Sequence, residues 1–370
     1  MTKKLVDFQR RKFLGVTGGG LAASVVGTTM SGFSEKSLAQ KPKTVRWGFV
    51  GTGNISNRMA AAIQKSDNAE LVAISSRKMA SAEAFATKHN VGRAFDSWAE
   101  MMAWDGVDAI YVATPTSVKE EICVAAANHR KHVLGDKPFA SLSSVKNITA
   151  ACRKNAVGFM DGTHFVHTAR TKEIKETMQE TTGWPWSLSS AFQFKLHDKT
   201  NIRFNTKFEP QGAVGDAGWY CMRAAVEFLS PNIELSAVNT FLRRDKETGA
   251  AISASGVLQF SDGSTSTWNV GFDSGATMMD LRLTGSNGVI KLEDFIATNV
   301  KNSSYRYLKG GNRKEHIFDT EVTKSGATLQ FQNYAAMIQD PTKIEASMEA
   351  TEKTQLLLDR VWQSGVANES

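Results

Sequence analysis

Between Val45 and about Phe159, short apolar runs alternate with stretches whose apolar residues recur every three or four positions. "VRWGFVG", "AELVAISS", "VDAIYVATP" and "KHVLGDKP" predict strands, and "AVGFMDG" predicts one more. The segments between them, "NRMAAAIQKS", "MASAEAFATKH" and "EEICVAAANH", are alanine-rich and helix-spaced. Strands alternating with ten-residue helices make βαβ units, and therefore a parallel sheet.

After about Thr163 the period shortens to two. A helix, "TKEIKETMQE", leads into a region rich in Ser, Thr, Trp and Phe. There "SGVLQFSDGSTSTWNVGF" predicts two strands joined at Asp262-Gly263, and "MDLRLTGSNGVIKLED" repeats the plan around Asn287-Gly288. The expected fold is a doubly wound α/β domain over residues 40–162, then an α+β domain over 163–345. Its sheet is mainly antiparallel and open, with helices on one face. A closing helix over 346–370, "ASMEATEKTQLLLDRVWQSG", packs back on the first domain. There is no internal repeat and no low-complexity linker, so the two halves share an interface and a cleft.

At 370 residues, 41% hydrophobic and 22% charged, the composition is that of a globular protein. The formal charge of +7 suggests nucleic acid until the first 39 residues are set aside. They hold Lys3, Lys4, Arg10, Arg11, Lys12 and Lys36 against Asp7 and Glu35, which leaves +3 for the rest, without a basic run. No nucleic-acid partner is expected. "FQRRKFLG" is the start of a leader over 1–39: a basic region to Lys12, an apolar segment from Phe13 to about Phe33, and small residues at Ser37 and Ala39 for cleavage. Paired arginines indicate export of the folded protein to the periplasm by the twin-arginine translocase. Gly18 to Gly20 and the scattered Ser and Thr argue against a permanent membrane anchor. Cys123, Cys152 and Cys221 are odd in number and fit no disulfide framework or metal spacing.

Four motifs carry chemistry. Gly51-Thr-Gly53-Asn-Ile-Ser56 follows a strand and opens a helix. Gly51 permits the tight turn, and Gly53 lets backbone approach a pyrophosphate at the helix N-terminus. This is a Rossmann-type dinucleotide loop with Ser56 in place of the third glycine. At the end of the second strand, Ser75-Ser76-Arg77-Lys78 offers hydroxyls and cations where an NAD site places a carboxylate. That favours the 2′-phosphate of NADP, with NAD the other candidate. In "GDKPFA", Lys137 stands at a strand's C-terminal end, the ligand-binding edge of an open α/β sheet. An ammonium there can orient a hydroxyl and stabilise oxyanion charge. In "GAVGDAGWYCMRAA", Asp216 and Tyr220 are four apart, as are Trp219 and Arg223, so on one helix each pair shares a face. A carboxylate and a phenol converging on one spot can bind a polyol and move its proton. His164 and His167 are three apart but read as a strand running into a loop, and no further ligand has matching spacing, so no metal is expected.

Together these motifs resemble the Gfo/Idh/MocA oxidoreductases, over essentially the whole chain after the leader. "GFVGTGNIS" is similar to that family's nucleotide loop, "KHVLGDKPFA" to its Lys-Pro signature with Asp136 for the usual Glu, and "GDAGWY" to its Asp-x-Gly-x-Tyr/His motif. The resemblance implies that Gly51, Thr52, Gly53, Asn54 and Ile55, with Ser76, Arg77, Thr114, Pro115, Asp136 and Lys137, bind the dinucleotide. It implies Lys137 and Tyr220 as catalytic acid/base residues, Asp216 as a catalytic, substrate-orienting residue, and Arg203 as a substrate contact. Departures from the pattern fall at Pro210-Gln211-Gly212, where the family has three glycines, at Lys119 for a frequent His, and at Val166 for Arg. These positions are expected to line the pocket.

Three functions compete. The first is an NADP-dependent oxidoreductase moving a hydride between nicotinamide and a sugar or polyol carbon, with its cofactor retained through turnover. The second is a glycosidase acting by transient oxidation at the same Lys and Tyr. The third is a non-catalytic exported binding protein, against which the intact Lys137, Asp216 and Tyr220 argue. The open sheet face predicts a homodimer or homotetramer.

Overall fold

Six parallel strands make the first sheet: β1 (Val45–Val50), β2 (Ala69–Ser75), β3 (Arg93–Phe95), β4 (Ala109–Val112), β5 (His132–Gly135) and β6 (Phe159–Asp161), in the order β3-β2-β1-β4-β5-β6. The computed structural model describes residues 44–369 except 230–233, 298–301 and 311–314. The expected leader lies outside the described residues. The connecting helices are α1 (Asn54–Ile63), α2 (Met79–His89), α3 (Trp98–Ala103), α4 (Thr116–Asn128) and α5 (Leu142–Asn155). All four residues of β4 are buried, as a strand covered on both faces requires. The strand order reverses at β1 and β4, and that switch point is where such sheets bind ligands.

The second half begins with α6 (Ala169–Thr181), β7 (Pro185–Lys195), α7 (Gly212–Asp216) and α8 (Gly218–Phe228). The strands β8 (Leu235–Arg244), β9 (Ala251–Phe260), β10 (Thr265–Gly271), β11 (Asp273–Met278), β12 (Leu281–Gly285), β13 (Gly288–Leu292), β14 (Asn302–Lys309) and β15 (Glu315–Glu321) follow. They form a sheet ordered β15-β14-β13-β12-β7-β10-β9-β8, with β11 on β7. The sheet is mostly antiparallel, but β10 runs parallel to β7, which makes it mixed. Ser266, Trp268 and Val270 of β10 are buried on the face that α8 covers, while Thr267 and Asn269 are exposed on the other. The turn at Asp262-Gly263 forms as expected, with Gly263 at φ +85° and the Asp262 carboxylate accepting from Ser264 N. The next turn is displaced by one residue. Thr284 pairs with Val289, so Ser286-Asn287 is the loop and Gly288 opens β13.

Two helices close the chain, α9 (Gly326–Met337) and α10 (Pro341–Ala367). Although α9 falls in the segment assigned to the second domain, it completes the core of the first. Phe331 meets Trp47 edge-on and Tyr334 meets it at a tilt, with ring centroids 5.1 and 5.3 Å away, and the Tyr334 hydroxyl donates to Val133 O and Gly158 O at 2.8 and 2.7 Å. Helix α10 begins at Pro341, earlier than the apolar spacing indicated, because Asp340 caps it by accepting from Thr342 N and Lys343 N. It touches both halves: Asp359 accepts from Leu142 N at 2.7 Å, and Asn368 donates to Thr240 O at 2.8 Å.

Candidate active site

The nucleotide loop fits a pyrophosphate. Gly51 sits at φ +103°, and a Cβ there would lie 3.1 Å from Ala113 O. Gly53 is the extended N-cap of α1, with no side-chain cap and open space where its Cβ would stand. The first N–H groups of α1 are therefore left for an anion, with the helix dipole behind them. Thr52 and Gly53 are held from below by Asn57, which donates to both carbonyls and accepts from Lys88 at 2.9 Å. Nothing in the pattern of the chain pointed to Asn57. Asn54 and Ile55 form the first turn of α1. Beyond β2, Ser76 is half-buried, and Arg77 is exposed and without an ion-pair partner among the described residues. At the end of β4 the Thr114 hydroxyl is buried with no protein partner, the sort of orphan a bound ligand satisfies. Pro115 starts α4 without a side-chain cap of its own, and Glu209 supplies one from the second half. Its carboxylate accepts from Thr116 N at 3.0 Å and Thr116 Oγ1 at 2.5 Å.

Lys137 follows β5, and its Nζ reaches α7, 79 residues away, donating to Asp216 Oδ1 at 2.6 Å and to Asp216 O at 2.8 Å. The same ammonium lies 4.9 Å from the centre of the Tyr220 ring. Arg203 brackets the other side of Asp216, with Nε 2.7 Å from Oδ2 and Nη2 3.1 Å from Oδ1. The four residues Lys137, Asp216, Tyr220 and Arg203 thus form one cluster at the C-terminal edge of the parallel sheet. The expected single helix is broken at Ala217 between α7 and α8, yet Asp216 and Tyr220 still converge on Lys137. Trp219 and Arg223 turn away from them, to Thr163 and Asp161.

Burial pulls the Lys137 ammonium toward the neutral form, but Asp216 and Tyr220 outweigh it and its pKa stands above the ordinary lysine value. For Asp216 burial works upward, and Lys137 and Arg203 still hold the carboxyl well below the usual range. Burial raises the Tyr220 phenol against the pull of Lys137, and it raises Asp136 against Lys137 and Lys119. At neutral pH the cluster is therefore a charged lysine, an ionised aspartate and a protonated phenol. An ammonium has three donors. Two are used on Asp216, and the third has no partner among the described residues. Both oxygens of Asp216 are engaged by cations, so its first effect is to hold Lys137 in place.

Two expectations are corrected. Lys119 does not line the pocket: it is 2% exposed, donates to Pro138 O at 2.6 Å and lies over the Phe139 ring. His164 and His167 lie on a turn of 3-10 helix rather than on a strand and loop. Among the described residues no group of three His, Cys, Asp or Glu is placed to hold a metal. Val166 packs against the main core, and Gln211 is buried with its Oε1 unpaired.

Residues 45–163 match the family model described as an oxidoreductase family with an NAD-binding Rossmann fold. The chain is 32% identical over 193 residues to the scyllo-inositol 2-dehydrogenase (NADP(+)) of Bacillus subtilis, covering 49% of this chain and 57% of that one. It is 29% identical over 236 residues to a D-xylose 1-dehydrogenase (NADP(+)) of Haloferax volcanii, covering 62% of this chain and 70% of the relative. In fold it is similar to a 3-ketoreductase from Actinomadura kijaniata solved with NADP and TDP-benzene, with a TM-score of 0.79 and 20% identity over 87% of this chain and 98% of the other.

Proposed function

We propose that this chain is a member of the Gfo/Idh/MocA oxidoreductases, whose family model residues 45–163 match, and that it transfers a hydride between NADP and a carbinol or carbonyl carbon of a sugar or polyol. The observation that carries this reading is the Lys137 ammonium, charged, held by Asp216, beside Tyr220, with one donor left over. When bound, the nicotinamide supplies or accepts the hydride. Lys137 donates its third hydrogen bond to the substrate oxygen and stabilises the charge that grows there. In reduction the protonated Tyr220 hydroxyl gives its proton to the substrate oxygen and leaves a phenolate beside the Lys137 ammonium, and in oxidation that phenolate takes the proton back, a role that contributes about 10²–10⁴-fold. Arg203 and Asp216 keep Lys137 aimed. Gly51, Gly53 and the uncapped start of α1 hold the pyrophosphate, and the unpaired Arg77 favours NADP over NAD. The two dehydrogenases reported above are named as NADP enzymes of an inositol and an aldose, which supports the same substrate class.

The proposal extends to place and assembly. Residues 1–39 are a twin-arginine signal cleaved after Ala39, and the mature enzyme works in the periplasm with its dinucleotide retained. Among the described residues no helix is long and apolar enough to cross a membrane. Phe241 and Ile317, 61% and 65% exposed, lie on the large sheet, and their cover is a second copy of the chain in a dimer or tetramer. The test is turnover of scyllo-inositol, D-xylose and D-glucose with NADP+ and NAD+, followed by nicotinamide absorbance. Reduction of NADP+ by at least one of these, abolished in Lys137→Met, supports the reading. No turnover by protein that binds NADP+ counts against it.

A further inference from the structure

Behind the site lies a buried polar network that the proposed chemistry does not use. Asp161, 1% exposed at the end of β6, accepts from Arg223, Thr163 and Thr351, the last at 2.7 Å. Thr163 Oγ1 in turn accepts from Trp219 Nε1 at 2.7 Å. Arg223 Nε donates to Glu227 Oε1 at 2.8 Å, and Glu227 pairs with Lys175 of α6. Asp161 and Arg223 are thereby buried between β6 and α8, Glu227 is nearly so, and Lys175 of α6 closes the network from the surface. A buried ion network is weak evidence of stability, since replacing it by apolar groups is often neutral or better. What it fixes here is an angle. Trp219 and Arg223, on one face of α8, are tied to Asp161 and Thr163, while the adjacent Tyr220 stands against Lys137.

We infer that Thr163, Asp161 and Arg223 are positioning residues that lock the rotation of α8 and so hold Tyr220 against the Lys137 ammonium. The lever is short. A side-chain tip at ~6 Å from a helix axis moves ~1 Å for a rotation of ~10°. A displacement of about 1 Å in a catalytic group can cost about 100-fold in rate. The lock also joins domains, because Asp161 belongs to the dinucleotide sheet and α8 to the substrate half. It rests on the function proposed above only in giving Lys137 and Tyr220 their chemical task.

Thr163→Val removes the hydroxyl that links Asp161 to Trp219, and Trp219→Phe removes the other end of that link. Neither leaves a buried charge without its ionic partner. The first readout needs no substrate. Protein carrying isotope-labelled lysine gives an ammonium resonance for the buried, hydrogen-bonded Lys137, identified by its loss in Lys137→Met. Both variants move that resonance, whereas Thr163→Ser restores it and Thr149→Val, which breaks the Thr149–Glu352 bond elsewhere on α10, leaves it in place. The second readout is kinetic, on the three sugar and polyol probes named above. There kcat falls about tenfold, and KM and the NADP+ dissociation constant stay within about twofold. An unmoved resonance in both variants, or an equal shift in Thr149→Val, overturns the inference. If Lys137→Met and Tyr220→Phe turn over like the wild type, the proposed function fails while the resonance still decides the lock.

Discussion

Lowering the pH from 6.5 to 5 should destabilise the fold steeply, and the cause is a pair of histidines outside the catalytic cluster. His164 is held neutral by burial, reinforced by Arg58, His167 and Lys137 and opposed by Asp161, so its pKa is pushed down to about 3. His167 is pushed down to about 4 by burial and Arg223, against Asp161 and Glu227. In the unfolded chain both titrate near 6.5. The unfolded state therefore binds more protons than the folded one between these values, and stability falls as pH falls below 6.5. Across pH 6 to 5 each histidine contributes a slope of about 1.3 kcal/mol per pH unit, about 2.5 kcal/mol for the pair. Most carboxylates do not enter until below about 4.5, so the upper window belongs to histidine. Half-buried His132, also lowered, adds in the same direction. The assay is urea unfolding at half-unit intervals from pH 7 to 5, with wild type, His164→Gln and His167→Gln. Each variant should lower the slope by about 1.3 kcal/mol per pH unit, the share of one histidine. A wild-type unfolding free energy that is flat over that window would refute the reasoning.

Lys137→Met and Tyr220→Phe should each lower turnover by about 10²–10⁴ while NADP+ binding, followed by fluorescence, stays near wild type. Arg77→Ala should weaken NADP+ by about 1.5–3 kcal/mol and NAD+ by far less, measured as a ratio of dissociation constants; equal losses would remove Arg77 from the phosphate site. Protein recovered from the periplasm should begin at Gln40 by mass spectrometry. It should carry stoichiometric dinucleotide, which requires a dissociation constant below about 10⁻⁸ M; empty protein that works only with added cofactor would refute retention.

The parallel sheet was legible because strands buried on both faces write themselves as apolar runs. β3 escaped, being a three-residue edge strand with one side chain exposed. The parallel entry of β10 beside β7 was not legible, since strand spacing carries no information on which strand returns to which. At the site, Lys137 could be placed at a strand end and Asp216 and Tyr220 on a shared face. The contact between Lys137 and Asp216 joins two halves of the chain, and only tertiary structure makes it. Glu209 and Asp161 gave no signal for the same reason, as each acts on a partner at least 60 residues away. Lys119 misled because a lysine in a pocket motif reads as exposed, whereas its ammonium is buried over the Phe139 ring and donates to a backbone carbonyl.

The position of α9 has a consequence for biosynthesis. Trp47, Phe49 and Tyr111 lie early in the chain, but Phe331 and Tyr334, which cover them, come near its end. A nascent chain released only to Gly162 has every strand of the dinucleotide sheet and still shows a bare aromatic face to solvent. The core of the dinucleotide domain is therefore completed only when α9, in the last eighth or so of the polypeptide, is delivered. Any chaperone that guards this protein guards that face, and a stop codon before α9 leaves an aggregating fragment rather than a smaller working domain.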